Sequence, residues 1–156
     1  MTDPDFTAVI GAAFQAFNER RFADFATYVT DDVVEIYPQS GERFEGRDRQ
    51  RAFHEAFPNP PTFTIRNVLR SGDLAVVEAD EHYPDGSIWN DAWILELRDG
   101  AVASMTGYFG QPFPAPEWRR PFRVHRTGRV PIHLTDVASR LSDRSRTRRP
   151  RRWVAG

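Results

Sequence analysis

Residues 63–109 read FTIRNVLRSGDLAVVEADEHYPDGSIWNDAWILELRDGAVASMTGYF, and this stretch decides the fold. Apolar and β-branched residues recur through it in short runs, as in strands with one buried face. The dipeptides Asp85-Gly86 and Asp99-Gly100 are strong hairpin signals, and Ser71-Gly72-Asp73 is a third turn. The pattern predicts an antiparallel meander of four strands, at 63–70, 74–83, 88–98 and 101–109.

The residues before the meander show helical periodicity. Residues 4–18 place apolar side chains three and four positions apart, and a second short helix is predicted from Phe22 to about Thr30. A third helix is predicted at about 48–57, where Pro58 ends it. A single strand, 33–37, lies between the second and third helices. Three helices and a strand followed by a meander predict an α+β domain whose antiparallel sheet packs on the helices.

Composition limits the classes of protein to which the chain can belong. Its 156 residues suit one domain, and the absence of cysteine excludes disulfides and thiolate metal sites. No apolar run is long enough to span a membrane, and the first residues lack the basic start of a secretory signal. We therefore expect a cytoplasmic protein with no membrane partner. The scattered histidines and the lack of a phosphate-binding or dinucleotide-binding motif predict no metal and no cofactor.

Charge is distributed unevenly along the chain. Residues 1–118 carry 9 arginines against 20 acidic residues, whereas residues 119–156 carry 12 arginines against 2. We predict a folded domain over 1–124 and a largely disordered, arginine-rich tail over 125–156. Such a tail could bind nucleic acid, but Trp153 is its single stacking group, so solvated disorder is the favoured interpretation.

Several sequence strings carry a family resemblance. They are PQSGERF at 38–44 followed by Gly46-Arg47, SGDL at 71–74, ELRDG at 96–100, and YF at 108–109 followed by PFPAPEWR at 112–119. In this combination the chain resembles SnoaL-like proteins of the nuclear transport factor 2-like superfamily over about residues 5–123. The resemblance implies a cone-shaped curved sheet wrapped around the helices, an interior pocket and commonly a dimer.

The resemblance does not imply one reaction, because the superfamily includes ketosteroid isomerase, polyketide cyclases, limonene epoxide hydrolase and proteins without catalysis. The tyrosine of the isomerase falls near Ala13 or Phe14 in this chain, and its second acid falls near Ala92 or Ile94. None of these side chains can donate a hydrogen bond. The resemblance therefore carries the fold to this chain but not a known mechanism.

The two hairpin signals predict which strand residues share a face. A two-residue turn at Asp85-Gly86 would pair Glu81 with Asn90, and a two-residue turn at Asp99-Gly100 would pair Ile94 with Met105. Odd positions 77–83 and 105–109 would then face the pocket together with even positions 88–94. The opposite face would carry Trp89, Trp93 and Tyr108, and an aromatic face with a polar rim predicts a homodimer contact there.

Glu81 is the leading candidate for catalysis, because a carboxylate in an apolar cavity has a raised pKa and can exchange a proton. It could instead reach solvent at the mouth. Tyr37 ends the first strand, where the isomerase resemblance implies a general base. The predicted ligand-binding residues, among which His54 could also be a surface residue, are Phe14, Phe17, His54, Tyr83, Asn90, Ala92, Ile94, Met105 and Phe109.

The reverse assignment of the two faces stays open. It would place Asp80 directly opposite Asp91 in the pocket, and two close carboxylates form an acid–base pair. The alternative is a solvated acidic patch relieved by Arg66. On the favoured assignment, the chain binds a small, mostly apolar metabolite, with or without weak isomerase, cyclase or hydrolase activity. The competing hypothesis is a non-catalytic dimeric interaction domain.

Overall fold

The computed structural model describes residues 4–124 of the chain. The three helices are α1 (Pro4–Asn18), α2 (Phe22–Phe25), which a 3-10 turn continues over Ala26–Tyr28, and α3 (Arg47–Ala56). The strands are β1 (Val29–Tyr37), β2 (Glu42–Glu45), β3 (Thr62–Ser71), β4 (Leu74–His82), β5 (Ile88–Arg98) and β6 (Ala101–Gly110). These elements lie within one compact unit that ends at Pro114. A separate 3-10 helix covers Glu117–Phe122, and the predicted tail, 125–156, lies outside the described residues.

The six strands form one curved, open sheet in the order β2-β1-β6-β5-β4-β3. Every neighbouring pair is antiparallel except β1 and β6, which run parallel. The prediction of an α+β fold with an antiparallel sheet packed on N-terminal helices is confirmed. Among the described helices, none is long and apolar enough to cross a membrane.

Helix α1 packs its apolar stripe against the inner face of the sheet. Phe6, Ile10 and Phe17 of this stripe are buried, whereas Val9 at its edge is exposed. The spacing of three or four residues places these side chains on one face, and burying each contributes roughly 1.5–3 kcal/mol. Across from the helix, Val77 and Leu95 complete a core that closes one end of the fold.

The hairpin between β4 and β5 does not form the predicted two-residue turn. The Tyr83 amide donates to the Ser87 carbonyl at 3.0 Å, and the Gly86 amide donates to the Tyr83 carbonyl at 3.0 Å. The loop therefore has three residues, Pro84–Gly86, and Gly86 takes the positive φ of +85° that such a loop needs. As a result Glu81 pairs with Trp89 and not with Asn90.

The hairpin between β5 and β6 forms at the predicted turn, with Arg98 opposite Ala101. The next pair is Leu97 with Val102, but Glu96 then pairs with Ser104. Strand β6 therefore has one extra residue, a β-bulge, between Val102 and Ser104. Beyond the bulge Leu95, and not Ile94, pairs with Met105. Since a slip of one residue reverses the faces, the odd positions of β4 and β5 point inward together with the odd positions of β6 beyond the bulge.

Candidate functional site

A cavity of about 240 Å³ lies between the helices and the inner face of the sheet. Most of its wall is aromatic. The helical segments supply Phe14, Phe17, Phe25, Phe53, His54 and Phe57, and the strands and the hairpin supply Tyr37, Phe63, Tyr83, Trp89, Trp93 and Phe109. Met105 and three carboxylates, Glu35, Glu42 and Glu81, complete the lining. A wall of this kind binds an apolar ligand that carries few polar groups.

Most of the predicted site residues line this cavity. Those that do are Phe14, Phe17, Tyr37, His54, Glu81, Tyr83, Met105 and Phe109. The prediction is wrong for Asn90, Ala92 and Ile94, because the shifted hairpin turns the even positions of β5 away from the cavity. Asn90 and Ile94 are accordingly exposed on the outer face of the sheet.

The predicted aromatic dimer face is divided between the two sides of the sheet. Trp89 and Trp93 line the cavity, and Trp93 is buried. Only Tyr108 lies on the outer face, where it is 44% exposed. The same one-residue shift separates Tyr108 from the two tryptophans, so the three side chains do not share one face of the sheet.

The structure also separates Asp80 from Asp91. Asp80 pairs with Asn90 on the outer face, where its carboxylate lies 3.3 Å from an Arg66 guanidinium nitrogen. Asp91 pairs with Ala79 and faces inward. The two aspartates therefore do not form the acid–base pair of the reverse assignment, but Asp91 joins Glu81 on the inner face.

A hydrogen-bonded group that we name the Glu35 cluster forms one wall of the cavity; its members are Glu35, Tyr37, Gln50 and His54. Gln50 Nε2 lies 2.7 Å and His54 Nε2 lies 3.4 Å from Glu35 Oε2, and the Tyr37 hydroxyl donates to Glu35 Oε1. Glu35 is 1% exposed. Burial alone would raise its pKa, but the hydrogen bond and charge of His54, with the Tyr37 and Gln50 hydrogen bonds, hold that pKa below its usual value.

The sequence analysis missed Glu35 and Gln50, although both had a detectable signal. Glu35 lies on β1 between Val33 and Tyr37, at the alternate positions that face inward. Gln50 and His54 are four residues apart on α3, so they lie on one helix face. Two polar side chains on one face of β1 and two on one face of α3 would together have indicated a buried polar cluster.

Two carboxylates of the sheet's inner face form what we name the acidic pair: Glu81, which lines the cavity, and Asp91 on the neighbouring strand. Glu81 is 3% exposed, and its neighbours on β3 and β5 are Phe63 and Trp89. The Tyr83 hydroxyl is its hydrogen-bond partner, and Glu81 Oε2 has none among the described residues. Burial raises the pKa of Glu81 to about 7, although the Tyr83 hydrogen bond opposes the shift.

Asp91 is 3% exposed, and neither of its carboxylate oxygens has a hydrogen-bond partner in the described part of the chain. Burial raises the pKa of Asp91 to about 8, and the charges of Glu81 and Asp80 add to the shift while Arg66 opposes it. The acidic pair can therefore hold and release protons near neutral pH, which is the range that general acid–base chemistry requires.

Gly107 makes room for the floor of the cavity. It pairs with Trp93 across β5 and β6, and a Cβ at this position would come within 2.8 Å of the Trp93 and Phe109 rings. Only glycine lets the indole lie directly against the strand. The Trp93 Nε1–H group has no acceptor among the described residues.

Among residues 4–124, no group of three histidine, aspartate or glutamate side chains is arranged to hold a metal ion. The arrangement can hold an apolar body, accept hydrogen bonds from it and exchange a proton with it.

Comparisons with known proteins agree with this architecture. The family described as SnoaL-like domain matches residues 10–105. An NTF2-like protein of unknown function from Burkholderia xenovorans LB400 is 33% identical, with 79% of this chain and 95% of that chain covered and a TM-score of 0.71. A protein from Kribbella flavida, provisionally named a ketosteroid isomerase, is 27% identical over 83% of this chain and 92% of its own, with a TM-score of 0.68.

A protein from Shewanella putrefaciens CN-32, provisionally named a SnoaL-like polyketide cyclase, shares the fold with a TM-score of 0.60. It is 14% identical, with 69% of this chain and 81% of that chain covered. A search of curated proteins finds no significant match. The match over residues 10–105 and the relative at 33% identity show that the chain belongs to the SnoaL-like family of the nuclear transport factor 2-like superfamily.

Proposed function

We propose that this protein binds a small, mostly apolar molecule in its aromatic cavity and exchanges a proton with it through Glu81. The observation that carries the proposal is the position of the Glu81 carboxylate, which lines the cavity between Phe63 and Trp89 with one oxygen unpartnered. The cavity volume of about 240 Å³ lies below the 300–1,000 Å³ common for drug-sized ligands, so the ligand is small.

Glu81 has the properties of a proton carrier at neutral pH. A general base works best when its pKa lies near the working pH, and burial places the pKa of Glu81 at about 7. A substrate C–H or O–H group next to Oε2 would lose its proton to the ionised carboxylate. The same carboxyl group could return that proton elsewhere on the molecule, as isomerase-type reactions require.

The Glu35 cluster has a different role in this proposal. The Tyr37 hydroxyl already donates to Glu35, and burial raises the pKa of Tyr37 far above neutrality. Tyr37 therefore stays protonated and is not a base. We propose that it positions Glu35 and, through Glu35, the His54 ring that lines the cavity.

A substrate-independent probe tests the proton transfer. 5-Nitrobenzisoxazole opens irreversibly at its N–O bond when a base removes the proton on its isoxazole carbon, and the phenolate product is followed by its absorbance. The wild type is expected to accelerate this reaction, with a rate that rises with pH through about 7 as Glu81 ionises. Glu81→Gln is expected to lower the rate about 100-fold.

Glu78→Gln is the matched control, since Glu78 lies on the same strand but is exposed on the outer face. Its rate is expected to equal that of the wild type. If Glu81→Gln keeps full activity, or if the wild type is no faster than free carboxylate at equal concentration, the assignment of Glu81 as the base is wrong.

We also propose that the protein forms a homodimer. Its contact would lie on the outer face of the sheet and would not include the inward-facing tryptophans. Val76, Ile94 and Thr106 form one row across β4, β5 and β6, and Ile36 of β1 extends it. Ile94 is 38% exposed, and Tyr108 lies one row away. An apolar row across four strands is a surface that a second copy of this chain would cover.

Light scattering coupled to size exclusion tests the dimer. The wild type is expected to have twice the mass of the chain, and Ile94→Glu is expected to be monomeric because it places a charge within the contact. Thr62→Glu, which is exposed on edge strand β3, is expected to stay dimeric. A monomeric wild type would rule this contact out.

A further inference from the structure

The charges around the cavity are strongly asymmetric. Its lining includes three carboxylates, and Asp91 adds a fourth on the same sheet face, yet no arginine of residues 4–124 lines it and the chain has no lysine. His54 Nε2 lies 3.4 Å from Glu35 Oε2. No basic side chain among the described cavity-lining residues is paired with Glu81 in this way.

The described guanidinium that acts on the acidic pair, that of Arg66, is engaged on the other face of the sheet. Arg66 lies 3.3 Å from Asp80 and 3.4 Å from the Ala79 carbonyl oxygen, and it donates to Asn90 Oδ1 at 3.3 Å. It acts on Asp91 only through its long-range charge. A cation that enters the cavity would therefore have no competing partner for Glu81.

The unpartnered polar atoms of the site are mainly hydrogen-bond acceptors. Among the described residues they are Glu81 Oε2, both oxygens of Asp91 and Gln50 Oε1, together with His54 Nδ1 and one obligate donor, Trp93 Nε1. Buried acceptors without a partner cost free energy, which a donor on the ligand would recover. The site thus matches a ligand that donates several hydrogen bonds and accepts few.

The rings beside these acceptors suit a positive charge. Tyr37 and Trp93 pack on Phe109 with ring centroids 5.1 Å and 5.5 Å apart, and Tyr83 packs on Trp89 at 5.4 Å. The face of an aromatic ring is negative and attracts ammonium groups, most strongly when water is excluded. The same rings also cover a hydrocarbon body.

We infer that the ligand of this cavity is a protonated amine with an apolar body, held by Glu81 through its ammonium group and by the aromatic rings through its hydrocarbon. The inference rests on the proposed function and narrows its substrate class. The ammonium donates to the Glu81 oxygen that has no other partner. Asp91 also faces inward, on the neighbouring strand β5.

Benzylamine and benzyl alcohol form a matched pair of probes, because they have the same size and shape and differ in charge. Calorimetric titrations at about pH 8 keep the benzylammonium ion protonated. The wild type is expected to bind benzylamine at least about tenfold more tightly than benzyl alcohol. Glu81→Gln is expected to remove that preference by weakening benzylamine about tenfold and benzyl alcohol less than about twofold, while Glu78→Gln changes neither.

The outcomes separate the two claims. If benzyl alcohol binds as tightly as benzylamine, the cavity binds apolar molecules as proposed but the preference for amines is wrong. If neither probe binds, both the proposed pocket function and the amine inference fail. If benzylamine is preferred but Glu81→Gln keeps the preference, Glu81 is not the group that holds the ammonium. The comparison of ligands on the wild type needs no variant, so it stands even if Glu81→Gln folds poorly.

Discussion

The two walls of the cavity carry carboxylates of nearly equal burial and opposite character. Glu35 is 1% exposed and receives hydrogen bonds from side chains on two elements, and its pKa is lowered. Glu81 is 3% exposed, has Tyr83 as its partner, and has a pKa raised to about 7. Burial penalises both charges, so the number of donors decides which carboxylate is ionised at neutral pH.

Glu35 and Glu81 therefore have different roles. A carboxylate with all its donors in place is a structural element, because removing it leaves those donors unpaired. A carboxylate without them destabilises the empty protein and is available to a ligand. A buried carboxylate that lowers the stability of the ligand-free protein is typical of functional sites.

The largest expected effect is a difference in the free energy of unfolding between variants that lack the Glu35 carboxylate and variants that lack the Glu81 carboxylate. Glu35→Leu is expected to lower the free energy of unfolding by about 4 kcal/mol, because His54, Tyr37 and Gln50 lose their shared partner. Glu81→Leu is expected to leave stability unchanged or to raise it, since a costly buried acid is replaced by an apolar side chain. Urea denaturation of both variants at neutral pH measures the contrast, and equal losses would contradict it.

The pH dependence of stability is expected to have opposite signs for the two walls. The folded pKa of Glu81 is about 7 against an ordinary value of 4.5, so the stability it contributes is complete below about 4.5 and is lost as the pH rises to about 7. Asp91, with its pKa of about 8, extends the same decline. The folded pKa of Glu35 is lowered, so its contribution is present above about 4.5 and is lost as the pH falls through that lowered value.

Denaturation curves at several pH values test these signs. Relative to Glu81→Gln, the wild type is expected to lose about 2 kcal/mol between about pH 4.5 and 7, a figure reduced for solvent near the cavity mouth. Relative to Glu35→Gln, the wild type is expected to lose stability only toward acid. The groups that act on the acidic pair are Tyr83, Asp80 and Arg66, and none of them is altered in either variant. A wild type that gains stability from about pH 5 to 7 relative to Glu81→Gln would overturn the assignment.

The smallest expected effects come from removing the hydroxyl group of Tyr37 or of Tyr83, and these effects differ in kind. Tyr37→Phe removes a buried hydrogen bond to an ionised carboxylate and is expected to cost about 1.5 kcal/mol of stability. Tyr83→Phe removes the hydrogen bond that lowers the pKa of Glu81, so the midpoint of the proton-transfer rate is expected to move to higher pH with little change in stability. A rate profile with an unchanged midpoint would show that Tyr83 does not act on the ionised form.

Local patterns in the sequence were sufficient to predict most of the fold. The first helix was predicted at 4–18, which are its observed bounds, and the four meander strands differ from prediction by one residue at most at each end. Strand β2 was missed because Glu42–Glu45 is short and carries little apolar alternation. Pairing with β1, and not its own composition, makes this segment a strand.

The strand residues of the site could be predicted only where the register of each hairpin could be predicted. A loop of three residues instead of two, and one bulge, were enough to exchange Ile94 for Trp93 on the inner face. The Asp-Gly signals locate the turns but do not count the residues in each loop, which depends on how Pro84 and the twisted strands pack. Helix residues such as Phe14 and His54 were placed correctly because their faces do not depend on pairing between strands.

Gly107 has a consequence for the choice of ligand. Since Trp93 rests on bare backbone at this position, the depth of the cavity is fixed by the absence of one methyl group. A relative with alanine at the same place would have to lift the indole, and that ring would then occupy space used by the ligand. A single small residue on the inner face of β6, behind the rings that line the cavity, can therefore change the size of ligand that this fold accepts.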